Sequence, residues 1–263
     1  MYTCGIDIGS VSTEALILDI DENNRYKILS YAVNKTGSDS KTAAEKSFQM
    51  ALDEAGLTKN KINFIIATGY GRINVEFANK NITEISCHAS GVTLLFPEVI
   101  TIIDIGGQDS KVIKIDRTSK KPIDFLMNDK CAAGTGRFLE VMAKTLEISL
   151  ENFGEIFLST KEKVDITSTC TVFAESEIVS LIGKGVAKEK IIKGLIYSIA
   201  DRIISMVSRV GLESPVCLTG GVAKNSGISS AIEEKLGVKL QIPFEPQITG
   251  ALGAAWLAGK IRL

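Results

Sequence analysis

The sequence predicts an α/β protein built from a duplicated unit, and three observations carry that prediction. Segments Gly5–Asp19 and Ile102–Asp116 match at an offset of 97 residues. Strand-like and helix-like stretches alternate, which argues for sheets covered on their faces by helices. The 263 residues are 45% hydrophobic and 23% charged, the composition of a globular chain with core enough for one large or two medium domains. Lys plus Arg number 30 against 31 Asp plus Glu, a net charge of −1, so no basic excess points to nucleic acid or an anionic membrane surface. No apolar run is long enough to span a bilayer, since Val92–Ile105 is interrupted by Pro97, Glu98 and Asp104. The opening Met-Tyr-Thr-Cys-Gly-Ile-Asp lacks the regions of a signal peptide, and a cytoplasmic protein is expected.

The first repeat, Gly5-Ile-Asp-Ile-Gly-Ser-Val-Ser-Thr-Glu-Ala-Leu-Ile-Leu-Asp19, has aliphatic residues on both sides of a small polar turn and reads as a hairpin. A helix follows at Lys41–Glu54, then a buried strand, Phe64-Ile-Ile-Ala-Thr, ending in Gly69, and a helix near Thr83–Leu95. The second repeat is a hairpin too, and Pro215-Val-Cys-Leu-Thr with Gly220 and Gly221 is its strand–glycine turn. Asp7 to Thr68 is 61 residues and Asp104 to Thr219 is 115, so the second copy holds 54 more. That excess, about 124–200, reads as helices at Gly136–Ile148, Glu175–Ala187 and Ile191–Val210. A last helix is expected at Ile248–Lys260. The domains are drawn as 1–97, with the segment about 246–263 packing back on it, and 98–245.

A turn reading Asp-x-Gly-Ser-x-Ser-Thr offers backbone N–H groups and hydroxyls in a concavity, a nest for phosphate oxygens, and glycine lets the backbone approach closely. The adjacent carboxylates, Asp7 and Asp104, suit phosphate only through a cation, which suggests Mg²⁺ held largely through water. Two such turns would clamp a polyphosphate across a cleft, and Thr219-Gly220-Gly221 would admit a flat adenosine. Each turn alone is also explained as a hairpin that uses glycine for its geometry. No P-loop or G-x-G-x-x-G fingerprint occurs.

Five cysteines in a chain this long are no disulfide framework. Cys4 and Cys217 fall in strands and read as core. Cys131 and Cys170 fall in the insertion, each just before a helix, where the dipole favours a thiolate; a buried structural thiol is the alternative. Two cysteines 39 residues apart leave a four-thiolate iron–sulfur site half complete. Cys87-His88, with the sole histidine, reads as a packed helix position without a role.

The set Asp7-x-Gly9-Ser10, Asp104-x-Gly106-Gly107-Gln108 and Thr219-Gly220-Gly221 resembles the phosphate-1, phosphate-2 and adenosine motifs of the actin, sugar-kinase and heat-shock-chaperone ATPase superfamily. Ala67-Thr-Gly-Tyr-Gly-Arg72, Asn128-Asp-Lys-Cys-Ala-Ala-Gly-Thr-Gly-Arg-Phe138, Ser168-Thr-Cys-Thr-Val-Phe-Ala-Glu-Ser176 and Gly250-Ala-Leu-Gly-Ala-Ala255 resemble one branch of it. That branch is the ATP-dependent activators of 2-hydroxyacyl-CoA dehydratases and of benzoyl-CoA-type reductases. The resemblance covers essentially the whole chain. It implies two RNase H-like, actin-like ATPase domains around a nucleotide cleft, with a helical insertion carrying the cluster cysteines. It implies a homodimer bridged by one 4Fe–4S cluster on Cys131 and Cys170 of both subunits, and Mg²⁺ held through water by Asp7 and Asp104. For ATP it implies Gly9, Ser10, Val11, Ser12, Thr13, Gly106, Gly107, Gln108, Gly134, Gly220, Gly221, Asn225 and Gln247. Glu84 resembles the carboxylate that orients water in chaperone ATPases and is equally a first-turn helix residue; Gln108 and Asp109 are the other water-orienting candidates. The family usually places a lysine where this chain has Glu14, and Lys111 holds the equivalent position of the second repeat.

The resemblance further implies an anaerobic ATPase coupled to electron transfer. Ferredoxin or flavodoxin would be the donor, and the acceptor an iron–sulfur enzyme: a 2-hydroxyacyl-CoA dehydratase, a benzoyl-CoA-type reductase or a double-cubane cluster protein. Nucleotide would act through its differential affinity for two domain arrangements. The alternatives are an iron-free kinase for a sugar or acyl group on the same scaffold, and a chaperone-like ATPase module.

Overall fold

The computed structural model describes residues 1–167 and 170–262. Each repeat becomes a five-stranded sheet. In the first, β1 (Tyr2–Ile8) and β2 (Ser12–Ile20) are the antiparallel hairpin, and β3 (Tyr26–Lys35) adds antiparallel to β2. After α1 (Ser40–Ala55), β4 (Ile62–Thr68) returns parallel to β1; β5 (Lys80–Asn81) lies parallel beside it and leads into α2 (Glu84–Leu95). In the second, β6 (Thr101–Ile105) and β7 (Ser110–Ile115) are the hairpin, and β8 (Pro122–Asn128) lies next to β7. Four helices follow: α3 (Gly136–Leu146), α4 (Phe153–Ser159), α5 (Thr171–Gly183) and α6 (Lys188–Val210). Then β9 (Val216–Thr219) returns parallel to β6, α7 (Ser226–Leu236) crosses to β10 (Leu240–Gln241), and α8 (Thr249–Arg262) follows. The sheet orders, β3-β2-β1-β4-β5 and β8-β7-β6-β9-β10, are one topology used twice.

Two compact units result. One comprises Met1–Val99, Ile115–Ile123 and the segment from Pro243 onward; the other comprises Ile100–Lys114 and Asp124–Ile242. No helix among the described residues is long and apolar enough to cross a membrane.

The first sheet is covered on both faces, so its central strands are apolar without alternation. On β2, Ala15 and Ile17 join Phe48 and Leu52 of α1 in one buried cluster, whereas Leu16, Leu18 and Ile20 join Ala251, Leu252 and Ala255 of α8 in another. β1 turns Cys4, Ile6 and Ile8 towards the α1 side. Its other face brings Thr3 Oγ1 to donate to the Ala255 carbonyl at 2.8 Å and sets Gly5 against Ala251. α1 is held at both ends: Asp39 accepts from the amides of Lys41 and Thr42, and Gly56 closes it in the left-handed region at φ 66°. The second unit has one large core, in which Ile103, Ile105 and Val112 of the sheet meet α3, α5, α6 and α7.

The structure corrects three expectations. The insertion does not begin as helix: Pro122–Asn128 is the edge strand β8, and its proline stands at the first position, where no ladder donor is lost. The helix expected at Glu175–Ala187 is α5, four residues earlier at each end. Its first turn exposes Val172 and Phe173, which breaks the apolar periodicity, and Gly185, at φ 77°, lies just beyond its end. Cys131 is not at a helix N-terminus either. It lies in a loop, and Thr135 stands at the N-cap position of α3.

Candidate functional site: the paired turns and the two half-buried cysteines

The two hairpin turns are built alike. The Gly9 amide donates to the Ser12 carbonyl at 2.9 Å, and the Gly106 amide to the Asp109 carbonyl at 3.0 Å. In the first unit, Thr36 Oγ1 donates to the Gly9 carbonyl and shares a 2.8 Å hydrogen bond with Thr13 Oγ1, bracing the turn from just beyond the end of β3. Gln247 Nε2 reaches Ser12 Oγ at 3.4 Å. Ser10, Val11 and Ser12 are half-buried at the tip. In the second unit, the Gly136 and Arg137 amides that open α3 donate to the Gly106 and Gly107 carbonyls at 2.9 and 2.8 Å. Ser110 Oγ donates to the Gly134 carbonyl, and Gln108 is exposed.

Behind each turn lies a buried aspartate beside a left-handed glycine. Asp7 is opposite Glu14 on β2 and beside Thr68 on β4; Asp104 is opposite Lys111 on β7 and beside Thr219 on β9. Gly69 (φ 82°) leaves no room for a Cβ, which would stand 2.3 Å from Asp7 Oδ1. Gly220 (φ 86°) is equivalent, with 2.3 Å to the Ile105 carbonyl and 3.0 Å to Asp104 Oδ1. A side chain at either position would be strained and would strike the carboxylate, so glycine is required. Gly221 opens a short 3-10 turn, and the Asn225 side chain caps α7 by accepting from the Gly227 and Ile228 amides.

The two aspartates differ in charge environment. Lys111 Nζ lies 3.0 Å from Asp104 Oδ2 and 2.5 Å from Asp109 Oδ2, and Thr219 Oγ1 donates to Asp104 Oδ1 at 2.8 Å. Both oxygens of Asp104 are thus engaged by donors inside a buried pair. Asp7 has a carboxylate, Glu14, across the hairpin, and His88 Nε2 of α2 stands 3.9 Å from its Oδ2. Mg²⁺ takes one or two carboxylates and keeps most of its water, a donor set that Asp7, with Glu14 opposite it on the hairpin, fits. Glu84 is the first residue of α2, after the Thr83 cap, and is half-buried. Among the described residues no three His, Cys, Asp or Glu side chains gather into a complete metal cage. Sequence reasoning passed over His88 because its contact with Asp7 joins residues far apart in the chain, and no local pattern marks it.

The five cysteines fall into two classes. Cys4, Cys87 and Cys217 are buried. Burial raises all three thiols well above the ordinary range, Cys87 to about 12. Cys131 and Cys170 are half-buried. Asn128 Nδ2 donates to the Cys131 carbonyl at 3.0 Å, and Cys170 stands at the N-cap position of α5, whose Ala174 amide donates to its carbonyl. α3 and α5, which follow the two cysteines, pack against each other. Ser168 and Thr169, the start of the second cysteine phrase, lie outside the described residues.

Residues 4–258 match the BadF/BadG/BcrA/BcrD ATPase family. The chain belongs to that family. Among family relatives, the activator of lactoyl-CoA dehydratase of Anaerotignum propionicum is 47% identical over 98% of this chain and 97% of its own. The crystal structure of the Acidaminococcus fermentans (R)-2-hydroxyglutaryl-CoA dehydratase component A superposes with a TM-score of 0.93 at 43% identity, covering 99% of this chain and 98% of that one. The activator of the 2-hydroxyisocaproyl-CoA dehydratase from Clostridium difficile, solved with bound ADPNP, gives 0.92 at 44% identity, covering 99% and 95%. The fold is that of the actin-like ATPases, and this BadF/BadG/BcrA/BcrD member is an ATPase by family.

Proposed function

We propose that the protein is an ATP-dependent one-electron activator. It would work as a homodimer whose two subunits share a 4Fe–4S cluster on Cys131 and Cys170 of each. It would take electrons from ferredoxin or flavodoxin and pass them to an iron–sulfur dehydratase, reductase or double-cubane enzyme. The observation that carries this reading is the split among the cysteines: three are sealed in cores, and two remain half-exposed on segments leading into packed helices α3 and α5. One chain supplies two thiolates and a cubane needs four, so a symmetric pair of chains completes the set. The apolar surface beside Cys170 supports such a pairing, because Val172 and Phe173 are 66% and 68% exposed. When bound, the cluster supplies one-electron redox chemistry at low potential. Cys170 stands at the N-cap position of α5, and the positive end of a helix dipole favours a negatively charged sulfur ligand.

For nucleotide, Gly9, Ser10, Val11, Ser12 and Thr13 with Gly106, Gly107 and Gln108 would take the phosphates. Gly220 and Gly221 would take the adenosine, with Gly134, Asn225 and Gln247 supporting. Asp7 would hold Mg²⁺ through water. Asp104, already paired with Lys111, would act on the phosphate side mainly by placing that lysine. Glu84 and Gln108 remain the groups proposed to orient the attacking water. ADPNP in a 44% identical activator supports the nucleotide assignment.

Anaerobic purification with iron, sulfide and visible absorption analysis tests the reading. About one 4Fe–4S cluster per dimer is expected. Cys131→Ser and Cys170→Ser should each lose it, and Cys217→Ser should keep it. An iron-free wild-type protein after anaerobic reconstitution overturns the proposal.

A further inference from the structure

Asp7 is held from three sides within the first unit. β1 carries it, the Gly69 turn lies against its Oδ1, and α8 and α2 meet at its Oδ2. The approach of those elements is unusually close. A Cβ on Gly5 of β1 would stand 1.9 Å from the Ala251 carbonyl of α8. A Cβ on Gly91 of α2 would stand 2.1 Å from the Thr249 carbonyl, and one on Gly253 of α8 1.8 Å from the Cys87 carbonyl. Strand and helices therefore touch backbone to backbone, with no flexible side chain between them to absorb a shift. Beside the Asp7 carboxylate the junction also holds His88, buried, whose Nε2 stands 3.9 Å from Asp7 Oδ2. Gly250, in the first turn of α8, keeps the space open. A Cβ there would be 1.9 Å from Asp7 Oδ2 and 3.2 Å from His88 Nε2.

We propose that His88 is a positioning residue that fixes the rotation of the Asp7 carboxylate, and with it the water-mediated Mg²⁺ site. The inference rests on Asp7 having the metal role proposed above. In the second unit, direct donors hold the equivalent Asp104 on both oxygens. In the first unit, Asp7 stands opposite Glu14 across the hairpin, and the imidazole near its Oδ2 comes from α2, whose backbone the glycine contacts hold in place. At 3.9 Å the contact is longer than a direct hydrogen bond and of a length that one water bridges. Groups that orient a metal's ligands typically alter metal affinity or activity by about 10–100-fold when removed.

The whole protein with ADP, titrated with Mn²⁺ as a paramagnetic stand-in for Mg²⁺ and read by electron paramagnetic resonance, tests this without relying on turnover. His88→Leu should weaken Mn²⁺ binding by roughly 10-fold or more. The same variant should raise the Mg²⁺ requirement of hydrolysis more than it changes KM for ATP. His88→Gln, whose amide nitrogen reaches the Nε2 position, should restore the natural affinity; His88→Asn, too short to do so, should not. Asp7→Asn should be at least as damaging, and adding His88→Leu to it should cost nothing further. Natural Mn²⁺ affinity in folded His88→Leu overturns the inference, as does equal loss in the Gln and Leu variants at matched melting temperature. Should His88→Leu not fold, the Gln and Asn pair decides by the same readout. If Asp7→Asn binds Mn²⁺ normally, the metal role of Asp7 falls and this inference with it. If only the His88 variants are silent, the metal role stands alone.

Discussion

Gly69 and Gly220 show how much one residue fixes when its backbone is left-handed and its neighbour is a buried carboxylate. Gly69→Ala or Gly220→Ala would add strain of about 1–2 kcal/mol and push on Asp7 or on the Ile105 carbonyl. Both are expected to lower the melting temperature and to reduce ATP hydrolysis more than that stability loss explains, measured by calorimetry and steady-state turnover on the same samples. The cysteines make a second residue-scale prediction. Burial raises the Cys4, Cys87 and Cys217 thiols, so near neutral pH they stay protonated and inert. In the native protein stripped of any bound metal, a soft alkylating agent should label Cys131 and Cys170 first, and peptide mass spectrometry would read the order. Both cysteine phrases were legible because their residues are contiguous. The nearness of His88 to Asp7 was not, since it arises from three glycine contacts that join separate elements.

At the scale of elements, the glycines of one helix pair contrast with those of another. Gly253→Ala in α8 would drive a methyl into the Cys87 carbonyl, an overpacking that costs about 1–3 kcal/mol where the neighbour is backbone. Gly183→Ala, at the end of α5, meets nothing within 4 Å. It should stabilise by up to about 1 kcal/mol through helix propensity. Urea unfolding of the two variants against the natural protein should give opposite signs. The paired hairpins, α1, α2, α3 and α6 were readable from periodicity and from matched aspartates. β3 and β8 were not, because half-exposed edge strands alternate weakly, and β5 and β10 are two residues long. α7 was hidden by Ser226, Ser229 and Ser230, residues that favour turns when read locally; its Asn225 cap becomes apparent once β9 is placed.

For the whole molecule, the repeated strand order explains why a pattern at a fixed offset could be read as architecture. Two sheets with one topology place equivalent aspartates, glycines and turns at equivalent positions, and divergence is confined to what covers each sheet. The first unit borrows α8 from beyond the second, and that helix, packed beside α2, covers Leu16, Leu18 and Ile20 on one face of its sheet. A chain stopped before Thr249 is expected to lose cooperative unfolding of the first unit and all ATP hydrolysis, as calorimetry and turnover would show. The same borrowing sets an order of assembly during synthesis. Every strand and helix of the second unit emerges from the ribosome before α8 does, so the half encoded later can close first. The half encoded earlier waits with Leu16, Leu18 and Ile20 uncovered. In a growing chain, that bare sheet face is where a nascent-chain chaperone would find its purchase.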